Sequence, residues 1–66
     1  MSIGKTIKEL RKEKGWSQSD LAKLLYTSQD TISLWELEKS LPDIKSLIKM
    51  TEIFNVTADY ILCIEK

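Results

Sequence analysis

Apolar side chains recur along this chain at helical spacing, and no segment alternates like a strand. Ile3, Ile7 and Leu10 fall at i, i+4 and i+7 on one face, while Lys5, Lys8, Glu9, Lys12 and Glu13 fill the other. Gly15 follows and can take the left-handed turn that ends a helix. Ser17-Gln18-Ser19-Asp20 is a helix start. The Ser17 hydroxyl can accept a backbone N–H, and Asp20 completes a short-armed capping box. Trp16 before this cap and Leu21 after it can form a hydrophobic staple, and Leu21, Leu24 and Leu25 define the buried stripe of a short helix ending near Leu25.

Tyr26-Thr27-Ser28 leads into a third start. Ser28 is the expected cap, because Ile32 and Trp35 then lie three apart on the inner face; Thr27 with Asp30 is a competing capping box one residue earlier. This helix runs to about Leu37. Pro42 disfavours helix at Leu41, and Asp43 caps a fourth helix in which Ile44, Leu47, Ile48 and Ile53 or Phe54 keep the period until Asn55. Thr57 caps a last short helix, with Val56 stapled to Ile61 and Asp59 well placed against the helix dipole. The pattern predicts an all-α fold, a compact bundle of five helices, none of which would be stable alone at this length. The expected core is Ile7, Leu10, Leu21, Leu25, Ile32, Trp35, Ile44, Leu47, Phe54 and Leu62.

Sixty-six residues make one domain, residues 1–66, and a chain this short buries only about 60% of its unfolded surface. Histidine is absent and Cys63 is the one cysteine, which removes a structural zinc site, a Cys–His nucleophile pair, a Ser–His–Asp triad and an internal disulfide. Gly4 and Gly15 stand eleven apart, so neither Gly-rich phosphate loop is possible. No cofactor and no metal are therefore expected, and an enzyme is disfavoured because no nucleophile–base pair converges. The longest apolar run, Tyr60 to Ile64, is five residues, far short of the ~18 a membrane span needs. The N-terminus, with Lys5 and Lys8 among its apolar residues, is not a secretion signal. A lone cysteine suits a reducing compartment, so the expected location is the cytoplasm, and Cys63 in its apolar stretch is expected to be a buried, inert thiol.

Formal net charge is zero, with ten basic and ten acidic residues, which counts mildly against a nucleic-acid binder. The distribution changes this. From Met1 to Leu24, six basic residues face three acidic ones, and the remainder carries the compensating negative charge, so one face can still be positive. The informative segment is Gln18 to Glu36, within a unit spanning about 17–37 that precedes helices four and five at about 43–64. Two short helices joined by a tight turn, with the small Ala22 inside the first, allow the crossing at roughly 90–120° that a helix-turn-helix requires. Ile32 and Trp35 fill the space beneath. Gln29, Asp30, Ser33 and Leu34 then lie on the outer face, free to enter a groove.

These residues resemble the phage repressor and Cro type of helix-turn-helix domain, the lambda-repressor-like or XRE-like family. The matching string runs Ile7-Lys8-Glu9-Leu10-Arg11-Lys12-Glu13-Lys14-Gly15, Ser17-Gln18, Leu21-Ala22 and Leu24-Leu25. It continues through Ile32-Ser33, Trp35-Glu36, Leu41-Pro42-Asp43, Leu47-Ile48, Ile53-Phe54-Asn55-Val56 and Asp59-Tyr60, covering essentially the whole chain. The resemblance implies a sequence-specific transcriptional regulator, a homodimeric repressor that binds a pseudo-palindromic operator in double-stranded DNA with the helix at 28–37 in the major groove. It implies phosphate contacts from Ser17, Gln18, Ser28, Lys39 and Ser40, and a structural ion pair between Arg11 and Glu36. The chain departs from the family pattern at Tyr26 and Glu38, where glycine is usual, and at Leu37, which is usually polar.

Each candidate has a plainer reading beside it. Gln29 can bond adenine through N6 and N7, or stand solvated in a first helical turn. Asp30 can accept from cytosine N4, or only complement the helix dipole. Ser33 can meet a base or a phosphate, and Leu34 a thymine methyl or only solvent. Trp16 is a staple or a stacking platform, and Lys8, Lys12 and Lys14 form a solvated face or a phosphate clamp. The apolar run at the C-terminus places Ile61 and Ile64 as the expected dimer interface, with Leu62 in the core. The alternative function is a protein-interaction module on the same fold that no longer binds DNA and pairs through exposed Leu34 and Leu37.

Overall fold

The computed structural model describes residues 2–64. They form five α-helices and, among the described residues, no strand: α1 (Ile3–Glu13), α2 (Gln18–Leu24), α3 (Gln29–Glu36), α4 (Ile44–Phe54) and α5 (Ala58–Leu62). Every helix starts on a side-chain oxygen. Ser2, Ser17, Ser28, Asp43 and Thr57 each accept the backbone N–H three residues on, satisfying a donor that has no partner inside the helix. Ser17 and Asp20 close the capping box in both directions, at 3.0 and 2.9 Å. Ser28, not Thr27, caps α3, so its register is the one that turns Ile32 and Trp35 inward.

Asp20, in the first turn of α2, and Asp43, the cap of α4, make these two helix starts acid-sensitive. Asp20 sits below its ordinary value of 3.8 because the Ser17 backbone N–H and then the Ser17 hydroxyl hold its charged form. Asp43 is lowered likewise by the Ser46 hydroxyl and then the Ser46 N–H. A depressed folded pKa contributes stability that is complete above the unfolded value and is lost as pH falls through the folded one. The melting temperature of the parent is therefore expected to converge on that of an Asp20→Asn, Asp43→Asn variant as pH drops from 6 to below 3.8. A gap that stays constant over this range would show that the two carboxylates are not the titrating groups.

The helix ends repeat one device. Gly15, Tyr26, Glu38, Asn55 and Cys63 all lie in the left-handed region, with φ of 73, 56, 63, 56 and 60°. Each turns the next N–H back onto a carbonyl five residues earlier, as in Trp16 to Arg11, Thr27 to Ala22, Lys39 to Leu34, Val56 to Thr51 and Ile64 to Asp59. Only one of the five is the glycine that adopts this conformation without strain. At Tyr26 the left-handed backbone costs roughly 1–2 kcal/mol, and its side chain, 92% exposed, recovers nothing by packing. Tyr26→Gly is expected to raise stability by about 1 kcal/mol, or roughly 4–8 °C in a domain of this size, by thermal melting. A lower melting temperature would mean that the phenol has a packing role.

The core is Ile7, Leu10, Leu21, Ala22, Leu25, Ile32, Trp35, Leu47, Met50, Phe54 and Ile61. Ala22, Ile32 and Trp35 are all buried where α2 crosses α3, as the small residue requires. Trp16 is half-buried on this core with its ring centroid 5.7 Å from that of Phe54, so it is packing rather than a stacking platform.

Two expected core positions are corrected. Ile44 is 70% exposed. The buried stripe of α4 is Ser46, Leu47, Met50 and Phe54, and at roughly 100° per residue Ile44 and Ile48 fall on its outer side. In α5 the inward residue is Ile61, which is fully buried, while Leu62 is only partly so. The helix stops at Leu62 and Cys63 turns left-handed, so the apolar run is not one helical face, and Ile61 cannot belong to an interface. Cys63 is half-buried rather than enclosed, with its sulfur 3.3 Å from Thr6 Oγ1. Leu24 is more exposed than a stripe residue should be, at 38%. No helix among the described residues is long and apolar enough to cross a membrane.

Candidate nucleic-acid interface

The outer face of α3 is short, polar and open. Gln29 and Asp30 are exposed in its first turn, Ser33 is half-buried one turn on, and Leu34 is exposed beside it. Ser28 precedes them; its hydroxyl accepts the Thr31 N–H at 3.2 Å and shares a hydrogen bond of 2.9 Å with the Thr31 hydroxyl. Lys39 and Ser40 are exposed directly after α3, and their N–H groups both return to the Leu34 carbonyl. These residues lie along one helix and the chain immediately flanking it. Ile64 is exposed at the far end of the chain, away from this segment in sequence.

What fixes α3 is a polar cluster at its C-terminal end. Arg11 Nε donates to Glu36 Oε2 at 2.8 Å and Arg11 Nη2 to Glu36 Oε1 at 3.2 Å, a two-point pairing of guanidinium and carboxylate. Arg11 Nη1 donates to the Trp16 carbonyl at 2.8 Å. The side chains of Arg11 and Glu36 are only 10% and 4% exposed. Gln18 Nε2 donates to the same Glu36 Oε1 at 3.1 Å. The Arg11–Glu36 pair thus ties the end of α1, the α1–α2 turn, the start of α2 and the end of α3. Of the candidate residues, Arg11, Glu36 and Gln18 are brought together, and the Gln18 amide is held by protein.

Ser17, at the start of α2, is exposed, but its hydroxyl and backbone N–H are both committed to Asp20. An anion at that helix start would also face the ionised Asp20 carboxylate. The first-turn amides of Gln18 and Ser19 have no acceptor inside the helix and are the donors that remain there.

Sequence reasoning missed one residue. Glu38, noted above only as a departure from the usual glycine, does not stand free after α3. Its Oε2 accepts the Gly4 N–H at 2.9 Å, placing the carboxylate at the positive end of α1. The approach is close enough that a Cβ on Gly4 would meet the Trp35 carbonyl oxygen, and it would lie 2.9 Å from that of Glu36. The available signal was the glycine itself, a poor helix former inside a first turn.

With this geometry in view, comparison with known proteins gives a consistent family. The family model described as helix-turn-helix matches residues 7–61, and the chain belongs to that family. It is 36% identical over 62 residues to the HTH-type transcriptional regulator ImmR of Bacillus subtilis (strain 168), covering 94% of this chain and 49% of the relative. It is 37% identical over 62 residues to the HTH-type transcriptional activator BcrR of Enterococcus faecalis, covering 94% of this chain and 30% of that one. The chain thus spans about half or less of the length of these relatives. Among solved structures it is similar to the P22 c2 repressor protein in complex with synthetic operator 9T, with a TM-score of 0.91, 26% identity and 98% of each chain covered. The relatives are transcriptional regulators, not enzymes.

Proposed function

We propose that this chain binds double-stranded DNA sequence-specifically, as a homodimer in the cytoplasm, and represses transcription from the operator it covers. The observation that carries the reading is the open polar face of α3 held rigidly at its C-terminal end, in a fold that superposes over 98% of its length on a repressor solved on its operator. Gln29, Asp30, Ser33 and Leu34 contact base edges in the major groove. Ser28, Lys39 and Ser40 contact phosphates, and the opening of α2 at Ser17 and Gln18 does so through the free amides of its first turn.

A two-fold dimer sets two copies of α3 one DNA turn apart, about 34–36 Å, and demands a pseudo-palindromic site. Ile64, 62% exposed, and Tyr60, 41% exposed, are the apolar side chains at the C-terminal end open to a partner. The test is selection of bound sites from random duplex DNA, followed by sedimentation of the parent and an Ile64→Asp variant on the selected duplex. Two-fold symmetric sites and a two-protein complex weakened by Ile64→Asp are expected. No enrichment of any site sinks the DNA reading, and asymmetric sites bound by one protein sink the dimer.

A second reading rests on a different observation. Leu37 is 61% exposed and Leu34 42% exposed beside an acidic segment, which suits a protein partner rather than a polyanion. A domain of that kind would show no salt-dependent affinity for duplex DNA.

A further inference from the structure

Residues 28–43, which include the α3 contacts of the reading above, carry Asp30, Glu36, Glu38 and Asp43 against Lys39 alone. Affinity for a polyanion has to draw on cations outside that segment. Lys45 and Lys49 stand four residues apart on α4, on neighbouring turns of one face. With Tyr26, Thr27, Asp43 and Ser46 they line an open cleft of about 410 Å³ between the α2–α3 turn and the first turns of α4.

The lysines of this cleft are not neutralised. The one ion pair among the described residues is Arg11–Glu36. Asp43, the only carboxylate on the cleft wall, accepts the Ser46 hydroxyl at 2.7 Å and the Ser46 N–H at 3.3 Å, both inside its own helix start. Two ammonium groups therefore outweigh one carboxylate whose hydrogen bonds are spent on its cap. The Tyr26 phenol and the Thr27 hydroxyl add two further donors. The left-handed backbone at Tyr26 leaves that side chain almost wholly in solvent at the cleft. Thr27 is followed directly by Ser28, the cap of α3, so the cleft opens one residue from the first turn of that helix.

We propose that the Lys45–Lys49 cleft receives the backbone phosphates of the duplex flanking the bases read by the first turn of α3. The proposal rests on the DNA-binding reading and adds the positive charge which that reading lacks. Both lysines act as point charges with rotatable donors, so they add affinity on every sequence and no base preference. The occupant is the phosphodiester backbone of the same duplex, because the cleft is open and continuous in sequence with the start of α3.

The experiment measures affinity for a selected operator and for an unrelated duplex by fluorescence anisotropy between 50 and 200 mM salt. It compares the parent, a Lys45→Gln, Lys49→Gln variant, and a control Lys5→Gln, Lys23→Gln variant with the same charge change at exposed positions of α1 and α2; thermal melts verify that all three are folded. The cleft variant is expected to show a log–log salt slope shallower by about 1.8, since each phosphate contact contributes about 0.9. Its affinity at low salt should fall roughly tenfold on both duplexes alike, while the control variant keeps the parent slope. An unchanged slope in the cleft variant overturns the proposal, as does an equal loss in the control variant, which would mean net charge alone. Stabilisation of the parent by inorganic phosphate, lost in the cleft variant while the DNA slope is unchanged, overturns it in favour of a free-anion site. Failure of the parent to bind any duplex in a salt-dependent way overturns the DNA reading itself, and is distinguishable because no slope then exists.

Discussion

Glu36→Ala is expected to cost about 3–5 kcal/mol, the range found when one partner of a buried pair is removed. The Arg11 guanidinium would lose both of its carboxylate bonds and keep only the Trp16 carbonyl, with its side chain still 10% exposed. Gln18 would lose its acceptor at the same time. A domain of this length has a total stability of roughly 3–10 kcal/mol, so the variant should be largely unfolded near physiological temperature. Urea denaturation at 15 °C measures it, with an unchanged m-value as the sign that only stability moved. A Glu36→Ala variant within about 1 kcal/mol of the parent would show the pair to be solvated and unimportant.

The size of that loss is the penalty of stranding a charge, not the net worth of the pair. Desolvation of both ions offsets much of their attraction, so Arg11→Met with Glu36→Leu is expected to recover most of the stability lost in the single variant. The recovered protein should still bind DNA less well. The carboxylate that holds Gln18 against the end of α3 is then gone, and α2 and α3 lose a polar tie that apolar packing does not replace with the same geometry. Stability and affinity thus separate in the double variant, which distinguishes a cluster that orients α3 from one that only holds the fold.

The parts of this fold that were legible in the sequence are those set by neighbours. Ser17, Ser28, Asp43 and Thr57 announce helix starts because a cap acts over three residues, and all four are caps in the structure. Arg11 and Glu36 were legible only through resemblance, since nothing local connects residues 25 apart. The phase of α4 was not legible. Ile44, Leu47, Ile48, Met50, Ile53 and Phe54 offer more apolar positions than one face can bury, and which ones turn inward depends on where the other helices lie. The run from Tyr60 to Ile64 misled for a related reason. Its helix ends at Leu62, so a five-residue stretch that reads as a helix apolar around most of its circumference is divided between a core residue, Ile61, and an exposed one beyond the helix, Ile64. In the candidate site, the outer residues of α3 follow from the inward positions of Ile32 and Trp35. The role of Glu38 does not, because its partner is 34 residues away.

That distant contact carries the second large effect. Gly4→Ala is expected to destabilise the protein by about 2 kcal/mol or more, although alanine is intrinsically better than glycine in a helix by about 1 kcal/mol. The added methyl would collide with the Trp35 carbonyl oxygen and come within 2.8 Å of the Glu38 carboxylate and 2.9 Å of the Glu36 carbonyl oxygen. Two of these three are backbone atoms at the end of α3 and cannot rotate away. Relief requires α1 to move off α3, which breaks the Gly4–Glu38 hydrogen bond and loosens Ile7 and Arg11 one and two turns further along the same helix. Glu38→Gly makes the matching control. It removes the carboxylate contact but relieves the left-handed strain at that position, so it should lie within about 1 kcal/mol of the parent. Chemical denaturation of the two variants separates the causes: a large loss in Gly4→Ala with little change in Glu38→Gly places the cost in the backbone approach of α1 to α3. Equal losses would place it in the hydrogen bond, and a Gly4→Ala protein as stable as the parent would mean that α1 does not pack against the end of α3 at all.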